Sequence, residues 1–351
     1  MKALVLSGGS GTRLRPFTHT SPKQLVPVAN KPVLYYVLED IAQASITEVG
    51  IVVGETSNEI RKAVGSGDRF GLRVTYLPQE APLGLAHAVL IARDYLGEED
   101  FVMYLGDNFV VGGIAGNSST FRAERPDAQI LLTRVSDPSS FGVAEIGCDG
   151  RVVALEEKPR HPRSDLAVVG IYLFTPVVHE AVRALTPSRR GELEITDALQ
   201  WLLDGPYDVR YTTISGYWKD TGNVADMLEV NRAVLDGIEP GMEGQADAAS
   251  ELVGRVRIEA GAQIRASRIV ARRHRAGRVT DRTSALHVDR GDCSIETARS
   301  SLHHAGRLPA HGTRRVQHSL LGRNVTVAPA PRVPAGSRLI LGDDSRVEIS
   351  S

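Results

Sequence analysis

Cysteine is almost missing from this chain: Cys148 and Cys293 are the only two among 351 residues. Two thiols so far apart make no disulfide framework, and each reads as an ordinary side chain. Long apolar runs are missing too. None reaches the ~18 residues that a bilayer span requires, and the opening stretch Ala3 to Leu6 is too short for a signal-peptide core. A charge of one sign is also lacking, since 41 Lys and Arg face 42 Asp and Glu, for a net charge of −1. That balance gives no support to a nucleic-acid or membrane partner. A soluble cytoplasmic protein is the expectation. Lysine is the scarce base, with six Lys against 35 Arg. Five of the six, Lys2, Lys23, Lys31, Lys158 and Lys219, fall in or beside the motifs below. A compact ammonium is retained there by a chain that otherwise prefers Arg.

The length leaves room for about two domains. Residues 1–237 alternate β-rich runs with helical patterns. Lys2–Leu6, Glu48–Val53, Asp100–Leu105, Gln129–Arg134 and Arg151–Leu155 read as strands, and Val33–Ala44 and Leu85–Tyr95 as helices. Strands separated by helix-length segments imply crossover units: an α/β fold with a Rossmann-like, mostly parallel sheet. From 238 to 351 the pattern changes. Leu252, Ile258, Ile264 and Val270 are spaced by six, as are Leu321, Val327, Val333 and Leu339, a period that points to a smaller β-helix domain. This part holds the charge asymmetry, since residues 241–351 contain 18 Arg, 11 acids and no Lys.

Residues 271–316 leave that period. The stretch Arg265–Arg315 holds 12 Arg and five His with almost no aliphatic clusters, although the island Val288–Glu296 still reads as a β-helix coil. A basic arm for an anionic partner, a divergent folded insertion, and compensating reading-frame shifts around the island are three explanations. The third is preferred: a chain translated out of frame loses the apolar period. Since a coil without inward aliphatics cannot bury enough surface to order itself, poor order is expected there.

The strongest motif is Leu6-Ser7-Gly8-Gly9-Ser10-Gly11-Thr12-Arg13-Leu14-Arg15-Pro16, directly after the first strand. Glycines there let backbone N–H groups approach a phosphate chain. A dinucleotide fingerprint needs glycine where Leu14 stands, and the Gly-Lys-Ser/Thr of a P-loop is not found. Arg13 and Arg15 favour a polyanionic ligand. Next comes Ser21-Pro22-Lys23-Gln24-Leu25-Val26-Pro27. Asp107 follows a strand in Leu105-Gly106-Asp107-Asn108, and Asp220 lies in Trp218-Lys219-Asp220-Thr221-Gly222. Two carboxylates plus substrate phosphates suit Mg²⁺. His287, Cys293, His303 and His304 satisfy no zinc-ligand spacing. His19 and His87, with no carboxylate or cysteine beside them, read as structural.

Taken together, GGSGTRLRP, SPKQLVPVANKP, LGDN, EEKP, GELEITD and WKDTG resemble the sugar-1-phosphate nucleotidylyltransferases, most nearly the longer glucose-1-phosphate thymidylyltransferases. The likeness covers about residues 1–235 and recurs, weaker, at 252–270 and 317–351. It implies transfer of a thymidylyl group from dTTP to α-D-glucose 1-phosphate, giving dTDP-glucose and pyrophosphate, with Mg²⁺ as cofactor. It also implies a C-terminal left-handed β-helix and the possibility of a homo-oligomer. By the same resemblance Gly8, Gly9, Gly11 and Thr12 cradle the triphosphate, and Arg13 and Lys23 act on the leaving pyrophosphate. Gln79 and Gly84 contact the base, while Asp107 and Asp220 hold the metal. Gly142, Glu157, Lys158 and Val168 line the sugar-phosphate pocket. Phe141 departs from the Tyr usual in shorter relatives, which removes a hydroxyl contact near the sugar. A uridylyltransferase of the same superfamily, or a sugar-nucleotide-binding paralogue without turnover, are the alternatives.

Overall fold

A computed structural model describes residues 1–253, apart from 10, 12, 13, 15–17, 19–21, 30, 215 and 238. Beyond these it describes 256–258, 263–265, 268–270, 287–288, 294–296, 320–321, 326–330, 340–341 and 346–350. In chain order the first elements are β1 (Lys2–Leu6), β2 (Pro27–Val28), β3 (Lys31–Pro32), α1 (Val33–Gln43), β4 (Glu48–Val53), α2 (Ser57–Val64) and β5 (Arg73–Pro78). There follow α3 (Leu85–Ile91), α4 (Arg93–Leu96), β6 (Phe101–Leu105), β7 (Asn108–Val110), α5 (Ala115–Glu124), β8 (Ala128–Arg134), β9 (Gly142–Ile146) and β10 (Val152–Glu157). Then come β11 (Leu166–Phe174), α6 (Val178–Ala184), α7 (Ile195–Asp204), β12 (Val209–Thr213), β13 (Trp218–Asp220) and α8 (Val224–Asp236).

The described residues fall into two compact units. The first comprises 1–10 and 33–220 and is built on a nine-stranded sheet. Strands β5, β4, β1 and β6 lie side by side in parallel, and β12 runs parallel to β8. Strand β11 enters antiparallel against β6 and β8, and the hairpin β9–β10 extends the sheet from it. The central strands Ala3–Leu6 and Val49–Val53 are buried throughout, as continuous aliphatic runs covered on both faces require. Helix α1 buries Val33, Leu34, Val37, Leu38 and Ile41 on one face, which is the helical spacing of its apolar residues.

One predicted helix divides. The Leu85–Tyr95 pattern becomes α3 and α4, with Ala92 between them at ψ 0. The ring of Tyr95 settles against Gly50 of β4, where a Cβ would lie 2.7 Å from it.

The second unit comprises 11–32 and 221–351. Helix α8 opens on Asn223, whose side chain accepts from the amide of Asp226 at 3.0 Å, an N-cap. The buried Asn231 of this helix accepts from the amide of Ala29 at 2.7 Å, just past β2. After α8 the chain forms short parallel strands, β14 (Gly241–Met242), β15 (Gln245–Ala246), β16 (Glu251–Val253), β17 (Arg257–Ile258), β18 (Gln263–Arg265) and β19 (Arg268–Val270). Gly241 pairs with Arg257, Gln245 with Gln263 and Glu251 with Arg268, so each strand lies on the one a coil earlier. Leu252, Ile258, Ile264 and Val270 each fall in a strand of this series.

From the island, β20 (His287–Val288) and β21 (Ser294–Glu296) pair in parallel with β17 and β18. Farther on, β22 (Leu320–Leu321) pairs with β24 (Ile340–Leu341), and β23 (Thr326–Ala330) with β25 (Arg346–Ser350), again in parallel. Apart from the two island strands, residues 271–316, with the reading-frame expectation that rests on them, lie outside the described residues. So do Val333 and Leu339, and the side chains of the rejected zinc group.

Candidate active site

Parallel strands carry their carboxyl ends to one edge, where ligands of open α/β sheets bind. Here the ladders run slightly beyond the strands. The Ser7 amide donates to the Val52 carbonyl at 2.9 Å, the Gln79 amide to Val53 at 2.8 Å, and the Gly106 amide to Leu6 at 2.9 Å. These bonds hold the glycine turn, Gln79 and Asp107 along the same edge. A Cβ on Gly8 would lie 3.5 Å from Gln79 Oε1, so the two predicted nucleotide-contacting positions are neighbours. Gly84 has φ +106°, and a Cβ there would come within 2.3 Å of the Leu193 carbonyl oxygen. Only glycine fits. Gln79 Nε2 lies 3.4 Å from the Gly84 carbonyl oxygen and 2.9 Å from His87 Nδ1 of α3. His87 thus has a partner eight positions upstream that its local sequence did not reveal.

Asp107 follows β6 and is buried. The next residue opens β7, which pairs antiparallel with β13 so that Asp220 lies opposite Asn108. Trp218 Nε1 donates to Asn108 Oδ1 at 2.7 Å, and Asn108 Nδ2 reaches Asp107 Oδ1 at 3.5 Å. A three-residue ladder thereby brings together two aspartates separated by more than a hundred residues of sequence. Phe141 packs edge-on against Trp218 at 5.5 Å between ring centroids. The Phe141 ring therefore buttresses this ladder. Among the described residues no group of three or more His, Cys, Asp or Glu is arranged to hold a metal. A pair of carboxylates fits Mg²⁺, which keeps waters and substrate phosphate oxygens as its remaining ligands.

The third cluster forms where β9, β10, β11 and the start of α7 meet. A Cβ on Gly142 would lie 2.8 Å from Thr196 Cγ2, 3.2 Å from Glu157 Oε2 and 3.6 Å from Val168 Cγ2. Thr196 Oγ1 donates to Glu157 Oε2 at 3.3 Å. Lys158, in the left-handed region at φ +45°, donates its amide to Phe141 at 3.0 Å and holds Nζ 3.4 Å from Glu157 Oε1. Arg190 was not selected from the sequence. It sits 3.5 Å from Glu157 Oε1, 3.3 Å from the buried Glu194 and 2.9 Å from Glu192. Ser188 Oγ donates to Glu194 at 2.9 Å. Burial raises the Glu157 carboxyl above its ordinary range; Lys158 pulls it back, Glu194 adds to the rise, and Arg190 opposes it.

Of the remaining expected residues, Gly9 belongs to the first unit, and Gly11 and Lys23 to the second. Gly11, at φ +59°, packs so tightly that a Cβ would meet Thr18 Cγ2 at 2.8 Å and Lys23 Cβ at 3.1 Å. Thr18 Oγ1 donates to the Gly11 carbonyl at 2.7 Å. Gly9 is exposed at the turn, while Thr12, Arg13 and His19 lie outside the described residues. No helix among the described residues is long and apolar enough to cross a membrane.

A profile of nucleotidyl transferases matches residues 2–237. The chain belongs to the nucleotidyl transferase family. This nucleotidyl transferase is 59% identical over 355 residues to a glucose-1-phosphate thymidylyltransferase of Streptomyces griseus, covering all of both chains. It is 57% identical over 356 residues to one of Streptomyces antibioticus, again covering both in full. A solved Bacillus anthracis structure described as a glucose-1-phosphate thymidylyltransferase is 36% identical, with a TM-score of 0.64. The match covers 69% of this chain and 97% of that one. Within its first unit this nucleotidyl transferase thus holds Gly8 beside Gln79, Asp107 next to the ladder that ends in Asp220, and Glu157 between Lys158 and Arg190.

Proposed function

We propose that this chain transfers a thymidylyl group from dTTP to α-D-glucose 1-phosphate, releasing pyrophosphate and dTDP-glucose, in the cytoplasm. The observation that carries it is the full-length likeness to two thymidylyltransferases, joined to a strand edge where Gly8 and Gln79 are neighbours. In this reading Gly8, Gly9, Gly11 and Thr12 receive the triphosphate, and Arg13 and Lys23 neutralise the pyrophosphate as it leaves. Gln79 and Gly84 meet the base. Glu157 accepts from sugar hydroxyls, and its partial desolvation strengthens those bonds. Lys158 pairs with the sugar phosphate, and Gly142 and Val168 leave the ring its room. Arg190, held by three carboxylates, keeps Glu157 charged in its buried setting.

Asp107 and Asp220 would hold Mg²⁺, which, when bound, polarises the α-phosphate and shields the leaving group's charge. The attacking oxygen is already a phosphate anion, so no residue need act as nucleophile. A homo-oligomer is part of the same proposal, as is a division into a catalytic domain over 1–237 and a β-helix domain over 238–351. Product analysis with dTTP, UTP and ATP, each against several sugar 1-phosphates, tests it. Thymidylyl transfer to glucose 1-phosphate is expected to have the highest kcat/KM. A higher value with UTP would favour the uridylyl alternative, and no turnover with any pair would favour a binding protein.

A further inference from the structure

Gln79 has one amide group and three neighbours that constrain it. Its nitrogen faces the Gly84 carbonyl oxygen at 3.4 Å and His87 Nδ1 at 2.9 Å. A carbonyl oxygen only accepts, so the Gln79 atom facing it must be the donor. Turned over, the amide would set its own oxygen against that carbonyl, acceptor against acceptor. With the nitrogen so fixed, His87 Nδ1 accepts the second N–H, which makes His87 the neutral tautomer protonated on Nε2. Both amide protons are then committed on one side. The oxygen Oε1 is left on the other, 3.5 Å from where a Gly8 Cβ would stand. Gly84 can hold its carbonyl there because no other residue adopts φ +106° against the Leu193 backbone.

We infer that His87 is a positioning residue that, with the Gly84 carbonyl, locks the Gln79 amide so that it presents an acceptor to the base. The inference rests on the proposal above that Gln79 meets the base. An acceptor at that point pairs with the ring N3–H of thymine or uracil and opposes the N3 lone pair of cytosine. The lock therefore selects by protonation pattern at the base edge. It is blind to the 5-methyl group. Without His87 the amide has one anchor fewer and turns over at small cost, offering its N–H to cytosine instead.

The test is steady-state kinetics of the full-length enzyme with dTTP and with dCTP at saturating glucose 1-phosphate. The enzymes compared are the wild type, His87→Leu, His87→Asn and Gln79→Leu. Asparagine places its oxygen where Nδ1 stood and restores the acceptor. His87→Leu is expected to lower the dTTP:dCTP ratio of kcat/KM about tenfold, the effect of one lost hydrogen bond, chiefly through KM for the nucleotide. KM for glucose 1-phosphate should stay unchanged, and His87→Asn should recover most of the ratio. A ratio of specificities does not depend on the active fraction, so partial misfolding leaves it readable. Should His87→Leu be insoluble, His87→Phe takes its place. A wild-type ratio in His87→Leu, or an equal loss in His87→Asn, overturns the positioning role. If Gln79→Leu leaves both the ratio and the dTTP KM unmoved, Gln79 does not meet the base, and the underlying proposal fails with it.

Discussion

At the scale of single residues, the chemistry turns on charges held where water alone would not keep them. Glu157 is pushed toward protonation by burial and pulled back by Lys158 and Arg190. Removing either cation therefore acts on the carboxylate as well as on the anion the cation would bind. Lys158→Ala should raise KM for glucose 1-phosphate about tenfold or more while moving KM for dTTP little, the pattern of a lost ground-state contact to one substrate. A main effect on dTTP would contradict the pocket assigned to it. Away from the site, His179 is buried and stacks on Phe101 at 6.0 Å. Burial holds its imidazole down at about 4, with Arg93 adding, Glu98 opposing and Arg183 adding. An unfolded histidine titrates near 6.5, so between about 4 and 6.5 the unfolded chain carries the extra proton. Stability must then rise with pH through that window. Urea midpoints should fall between pH 7 and pH 5 in the wild type and fall less in His179→Phe. Parallel falls in both proteins would show that other groups set the dependence.

At the scale of elements, the long periodic segments were legible and the short ones were not. The β1, β4 and α1 expectations coincide with the structure to within a residue, because runs such as Ala3-Leu4-Val5-Leu6 bury every side chain. Strands β7 and β13, three residues each, have too few positions to show a period. They are nevertheless the pair that sets Asp220 opposite Asn108. Asp107→Asn and Asp220→Asn keep shape and ladder but remove the charge. Each should lower kcat about a hundred- to a thousandfold at saturating Mg²⁺, with the far-ultraviolet circular dichroism unchanged. Near-wild-type turnover in either would remove that residue from the metal site.

For the whole molecule, the division into compact units has a consequence for the segment proposed to receive the triphosphate. Residues 11–32, which include Lys23, group with 221–351 rather than with the strand that precedes them. One bond that ties them into that unit runs from the Ala29 amide to Asn231 Oδ1. Asn231→Leu would remove the acceptor of that buried bond, at a cost of about 1–3 kcal/mol. The variant should melt earlier and show a raised KM for dTTP, with KM for glucose 1-phosphate much less affected. Equal increases in both constants would detach the anchor from any role in nucleotide binding.

The amino-acid sequence alone determined the α/β class, the glycine turn after the first strand, and the small set of lysines and aspartates that could serve phosphate chemistry. Those features are local: buried strands need unbroken aliphatics, and a backbone cradle needs glycine. Tertiary structure decided the pairings. Gln79 meets His87 and Gly84 through a turn whose shape Gly84 and Leu193 set together, and Arg190 meets Glu157 across a loop. Asp220 reaches the end of β6 only because β13 pairs in one register with β7. Such contacts depend on turn shape, loop closure and strand register over separations from five residues to more than a hundred, and no spacing along the chain encodes them.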